Sequence, residues 1–151
     1  MINSSSFITY AVVMLLAGLG IPIMAALNGG LGVKLQNPAL ATTILFVFSS
    51  LISVIYLISS DNLPKSMPSN VPIYLYLGAV FVTFYALSIT SIAPKFGIGN
   101  AVSFVLLGQL ISMAVIDHYQ LIGMPHNPIN ATRFSGLLLM AIGVFLAVRR
   151  G

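Results

Sequence analysis

The stretch "GIPIMAALNGGLG", Gly20 to Gly32, lies inside an apolar run that starts near Phe7. It puts Pro22, Asn28 and the pair Gly29-Gly30 where an ordinary membrane helix carries leucine and valine. Pro22 has no N–H to give the carbonyl of Gly18, and Gly18 and Gly20 loosen the same turn. The sequence therefore predicts a helix break, a kink near Gly18–Pro22. Such a kink serves either close packing or an irregular helix lining a polar path. Asn28-Gly29-Gly30 reads as a helix C-cap. That reading explains the glycines better than Asn28, whose amide still needs a partner at membrane depth.

The chain around this stretch has 151 residues, 58% hydrophobic and 5% charged, with no cysteine. Its mean hydropathy is +1.05 and its pI about 9.7. A soluble domain carries about 25% charged residues, and so few cannot cover a water-facing surface. The composition thus fixes an integral membrane protein. The six cations are scattered between apolar runs and form no basic patch, which argues against nucleic acid as a partner. Disulfide and thiol chemistry are excluded. The first residues, MINSSSF, lack Lys and Arg, so a cleaved signal peptide is not expected.

Each apolar run is near the roughly 20 residues needed to cross a bilayer core. Five spans are expected, at 7–31, 39–59, 72–93, 99–117 and 132–148, giving an all-α membrane protein with one domain over 1–151. Asn37-Pro38 opens the second span as N-cap and first helical residue, and Pro94 closes the third. Lys34, Lys95, Arg149 and Arg150 fall on one side of the membrane. Lys65, Arg133, Asp61 and Asp117 fall on the other. Four cations against two favour a cytoplasmic C-terminus, with dual insertion left open by the thin margin.

Polar groups in a bilayer need partners, so they carry the functional signal. In the second span Thr42, Phe46, Ser49, Ser53 and Tyr56 recur on one helical face. The third span repeats the pattern with Tyr74, Gly78, Phe81, Tyr85 and Ser88. Both faces suit helix packing or a cavity wall. Gln109 lies deep in the fourth span, with Ser112 and Asp117 to either side of it around the helix, and is expected to face the bundle interior. Asp117 is the sole acid near a span, the chain having no Glu. It reads either as an interfacial acid paired with Arg133 or, with His118, as a protonatable coupling site. In the fifth span Gly136, Met140, Gly143 and Ala147 share a face, a small-residue seam for helix packing. No cluster of metal ligands and no nucleophile–base pair stands at membrane depth, so no catalytic role, metal or cofactor is expected.

Gly-Ile-Pro followed by Ala-Ala-Leu-Asn-Gly-Gly-Leu-Gly, then Gly108-Gln-Leu, Ile116-Asp-His, Gly136-Leu-Leu-Leu and Gly143, resembles the YdcZ-like branch of the drug/metabolite transporter superfamily. The resemblance covers essentially the whole chain. It implies a bacterial inner-membrane protein that exports a small molecule. It also implies that five helices are half of a ten-helix inverted-repeat transporter, completed as an antiparallel homodimer or a heterodimer with a related chain. The family pattern falls on Asn28, Gly108, Gln109, Asp117 and His118. Related four-helix multidrug members rely on a glutamate in the first helix, and Asn28 cannot replace it as a proton acceptor. The expected function is a secondary transporter subunit with Asn28, Gln109, Ser112, Tyr85, Ser49 and Ser53 lining a cavity at the dimer interface. The alternative is a non-transporting subunit that stabilises a partner membrane protein.

Overall fold

The computed structural model describes residues 4–60, 70–124 and 126–148. Among them the regular structure is entirely helical: α1 (Ser4–Lys34), α2 (Pro38–Ser59), a 3-10 turn (Ile73–Leu77), α3 (Gly78–Phe96), α4 (Ile98–His118), a second 3-10 turn (Leu121–Gly123) and α5 (Ala131–Val148). Five helices are long and apolar enough to cross a membrane. Helix is the form such runs must take, because the bilayer core offers no water to an unpaired backbone group. The loop cations and acids Asp61, Lys65, Arg149 and Arg150, which entered the orientation count, lie outside the described residues.

The chain divides into two compact units, one ending at Lys95 and the other beginning at Phe96. The first holds α1, α2 and nearly all of α3. Its buried residues are Ala25, Asn28, Gly29 and Gly32 on α1, Ala41 and Thr42 on α2, and Ala86, Ile89, Thr90 and Ala93 on α3. On α1 and on α3 these positions recur at i, i+3, i+4 and i+7, which is one helical stripe. They are small because lipid is as apolar as leucine. Helices in a membrane gain by close backbone approach rather than by hiding grease from water. The large apolar side chains, from Phe7 through Leu16 on α1 and from Val47 through Ile58 on α2, stay exposed for lipid.

This stripe corrects the reading of the opening stretch. Pro22 sits inside α1 without ending it, and helical backbone continues to Lys34. Asn28-Gly29-Gly30 is likewise helix interior and not a C-cap. A Cβ on Gly29 would lie 3.2 Å from Pro94 Cγ. One on Gly32 would lie 3.1 Å from Thr90 Cγ2 and 3.3 Å from Pro38 Cα. The glycines let α1 touch its neighbours at backbone distance. The helix ends farther on, where Gln36 adopts φ 52. Asn37 N–H reaches the Gly32 carbonyl at 3.1 Å and Gln36 N–H the Val33 carbonyl at 3.1 Å. These two bonds are a Schellman motif carried by a residue other than glycine. Asn37 then caps α2, accepting from Leu40 N–H at 3.0 Å, with Pro38 as the first helical residue, as the sequence predicts.

Two further expectations shift. Pro94 does not close the third span but lies within α3, which continues to Phe96. Tyr74 belongs to the 3-10 turn and not to the α-helix. With 3.0 residues per turn there, spacing by four does not keep one face. The buried face of α3 carries Ala86, Ile89, Thr90 and Ala93, whereas Tyr74, Gly78 and Phe81 are exposed and Tyr85 and Ser88 half-buried.

The second unit pairs α4 with α5. A crevice along them is walled by Leu107, Leu110, Ala114, Phe134, Leu137 and Ala141. The Gly136/Gly143/Ala147 seam does not form the close helix contact expected of it within the chain. A Cβ on Gly136 or Gly143 would meet nothing within 4 Å, and Gly143 and Ala147 are exposed. Gly97, at φ 90, opens α4 from a backbone conformation that L side chains resist.

Candidate functional site

The buried polar groups of the first unit converge. Asn28 Nδ2 donates to Thr90 Oγ1 at 2.6 Å. Thr42 Oγ1 donates to the Pro38 carbonyl at 2.9 Å and lies 3.4 Å from Thr90 Oγ1. One residue from each of three helices thus joins a single hydrogen-bonded chain, with Asn28 5%, Thr42 2% and Thr90 1% exposed. Asn28 stands six positions before Lys34 and Thr90 six before Phe96, about 9 Å from those helix ends at 1.5 Å per residue. The cluster therefore sits toward one membrane face rather than at the midplane. Interhelical bonds of this kind contribute about 0.6–2 kcal/mol each in a membrane.

A second set of polar groups is uncovered. Gln109 and Ser112 on α4 are exposed, as are Ser49 and Ser53 on α2. Their side chains find no hydrogen-bond partner among the described residues. Gln109 stands eleven positions after Ile98 and nine before His118, roughly 13–17 Å from either end of α4. Ser49 has the same mid-helix position on α2. Other hydroxyls, on α2 and α3, are handled differently. Thr43, Thr83 and Ser91 donate to the carbonyls of Ala39, Ala79 and Leu87, four residues back, at 2.8–2.9 Å. Tyr85 is half-buried, and its Oη is sealed from solvent with no hydrogen-bond partner.

At the end of α4 the polar groups are stitched together. Arg133 pairs with Asp117 and also donates to the Asn127 carbonyl. Asn127 N–H returns to the Asp117 carbonyl at 3.1 Å. His118 Nδ1 accepts from Ile129 N–H at 3.2 Å, and the Tyr119 ring stands edge-on to the imidazole at 4.7 Å. Asn130 caps α5, its Oδ1 accepting from Arg133 N–H at 2.8 Å. The Asp117–Arg133 pairing foreseen from sequence is present, and it fastens the loop before α5 to the end of α4.

Sequence reasoning picked out Asn28, Thr42, Gln109, Ser112, Asp117 and His118 but missed Thr90, to which both Asn28 and Thr42 bond. A signal was available in Ala86-x-x-x-Thr90, a small-residue spacing of the type that brings helices close. Asn130 had the sequence sign of an N-cap directly before an apolar run.

The family model described as "Putative inner membrane exporter, YdcZ" matches residues 9–146. Comparison with curated proteins found no match, and comparison with solved structures found none.

Proposed function

Because the chain belongs to the YdcZ family of inner membrane exporters, we propose that it is a small-molecule secondary transporter subunit that works as an oligomer. The observation that carries this is Gln109: an amide in mid-helix, exposed in the single chain and without a partner. An unpaired polar side chain facing hydrocarbon is costly. A second chain, or a wet path between chains, relieves that cost. Ser49 and Ser53 of the first unit ask for the same cover. The antiparallel pair, homodimeric or with a related chain, is the assembly we favour, giving ten helices and an interfacial cavity. The uncovered Gly136/Gly143/Ala147 seam adds a face on which chains can approach closely. In this assembly the chain has no catalytic role, and the small molecule it carries is taken from the cytoplasmic side.

The C-terminus is placed in the cytoplasm, supported by the four-to-two distribution of Lys and Arg. The competing reading, a non-transporting subunit that stabilises a partner, draws on the same uncovered seam. Metabolite profiling of the growth medium separates them. Cells producing the chain should release at least one small molecule that cells producing an equal amount of Gln109→Leu retain. Media identical to those of cells lacking the chain would rule out export.

The coupling site we propose is the α4 end. Asp117 is the sole acid there and already pairs with Arg133, so a pure anchoring role makes a distinct prediction. Asp117→Asn and Arg133→Gln should then lower thermal stability to a similar extent, and the double variant should be little worse than either. In everted vesicles with an imposed pH gradient, coupling through Asp117 requires Asp117→Asn to lose gradient-driven uptake. Unchanged uptake would remove Asp117 from the mechanism and leave it as an anchor.

A further inference from the structure

Between α1 and α2 runs a groove walled by Met24, Leu27, Leu31, Ile44, Leu45 and Phe48, with Asn28 as its polar member. The amide of Asn28 is half used. Its Nδ2 donates to Thr90, whereas its Oδ1 has no partner among the described residues and is not among the side-chain atoms sealed from solvent. An acceptor left bare among apolar walls carries its desolvation penalty until a donor reaches it. Thr42 spends its one proton on the Pro38 carbonyl, so the Thr90 hydroxyl can give its own to Thr42 Oγ1 and accept from the nitrogen end of the amide, which leaves the oxygen free.

We infer that this groove is a binding site for an amphiphile bearing an N–H donor, such as a primary ammonium. The N–H meets Asn28 Oδ1, and the apolar body lies along Leu27, Ile44 and Phe48. A carbonyl oxygen accepts and cannot donate, so an anionic head finds no complement here. The Phe48 ring tolerates a cation over its face. Asn28 stands about 9 Å from the end of α1, a depth at which a polar head stays near the headgroup boundary while its chain enters the hydrocarbon. The inference names the ligand chemistry of the exporter reading, and rests on that reading only for what happens to the ligand after it binds. Two sources share the chemistry: a free lipophilic amine, and a phospholipid with a primary-amine headgroup.

The test uses the full chain in phosphatidylcholine nanodiscs, whose headgroup has no N–H. Binding of radiolabelled dodecylamine and of dodecyltrimethylammonium is measured, with empty nanodiscs subtracted. The quaternary compound has the same chain and charge but no donor, and should bind at least tenfold more weakly. Ile44→Trp fills the groove without touching the Asn28–Thr90 bond, and should weaken dodecylamine binding by a similar factor. Asn28→Val, if it folds, should bring dodecylamine down to the level of the quaternary compound. Equal binding of the two compounds to the unaltered chain, or dodecylamine binding indifferent to Ile44→Trp, would overturn the inference. Replacing phosphatidylcholine with phosphatidylethanolamine separates the sources. Competition supports the lipid headgroup as the donor, and undiminished dodecylamine binding supports a free amine. No transport is read in this experiment, so loss of binding and loss of export are separate outcomes.

Discussion

Gly32→Leu is expected to prevent accumulation of the folded chain, while Gly30→Ala leaves it intact or slightly more stable. The two glycines are two positions apart in the same helix and differ in what surrounds them. A Cβ on Gly32 lies 3.1 Å from Thr90 Cγ2 and 3.3 Å from Pro38 Cα, and a Cβ on Gly30 meets nothing within 4 Å. One of the neighbours at Gly32 is backbone at the first turn of α2, which cannot swing aside as a side chain can. Overpacking costs about 1–3 kcal/mol for added methylenes in a tight core, and leucine adds more than the first carbon. The displacement also separates Asn28 from Thr90, one turn away. A loss of at least about 3 kcal/mol is therefore expected. Gly30→Ala gains about 0.5–1 kcal/mol from helix propensity. Fluorescence-detected size-exclusion melts in detergent read both. Equal stability of the two variants would mean that α1 does not pack along this stripe.

Gln109→Leu is expected to do the opposite: keep the fold and lose the function. Gln109 makes no bond that holds the chain together, and leucine is more welcome than an amide within a membrane helix. Accumulation at or above the unaltered level is expected, with export reduced at least about tenfold, the effect of about 1.4 kcal/mol at the rate-limiting interaction. Full export by Gln109→Leu would place the path elsewhere.

Some of this structure was legible in advance because its physics is local. Hydropathy and length placed all five spans. Asn37-Pro38 marked the start of α2, because an N-cap depends on its own neighbours. Asp117 and Arg133 could be paired because each flanks a short loop. The errors share another origin. Gly29-Gly30 looked like a helix end, since glycine is the usual αL residue, yet Gln36 takes that conformation, and Gly29 and Gly32 serve contacts with Pro94 and Thr90. Those contacts join residues about sixty positions apart, which periodicity cannot reveal. Tyr74 was placed on the α3 face although the segment that carries it winds as a 3-10 turn. Pro22 does not end α1, because a helix with the rest of its ladder intact survives one missing donor in a membrane. Gln109 was recognised as anomalous from its residue type, but the place in the bundle interior expected of it is not met within the chain, where it is exposed.

The central claim is that another protein chain covers the mid-membrane face of α4. Photo-crosslinking from position 109 tests it most directly. A benzophenone amino acid replaces Gln109 in the full chain, with Leu16 on α1, which is exposed, as the comparison site. The cells are irradiated with the protein in its native membrane. The account predicts a protein–protein adduct from position 109, either a homodimer of twice the chain mass or a pair with a related chain, together with lipid adducts from position 16. Lipid adducts alone from position 109 would contradict it.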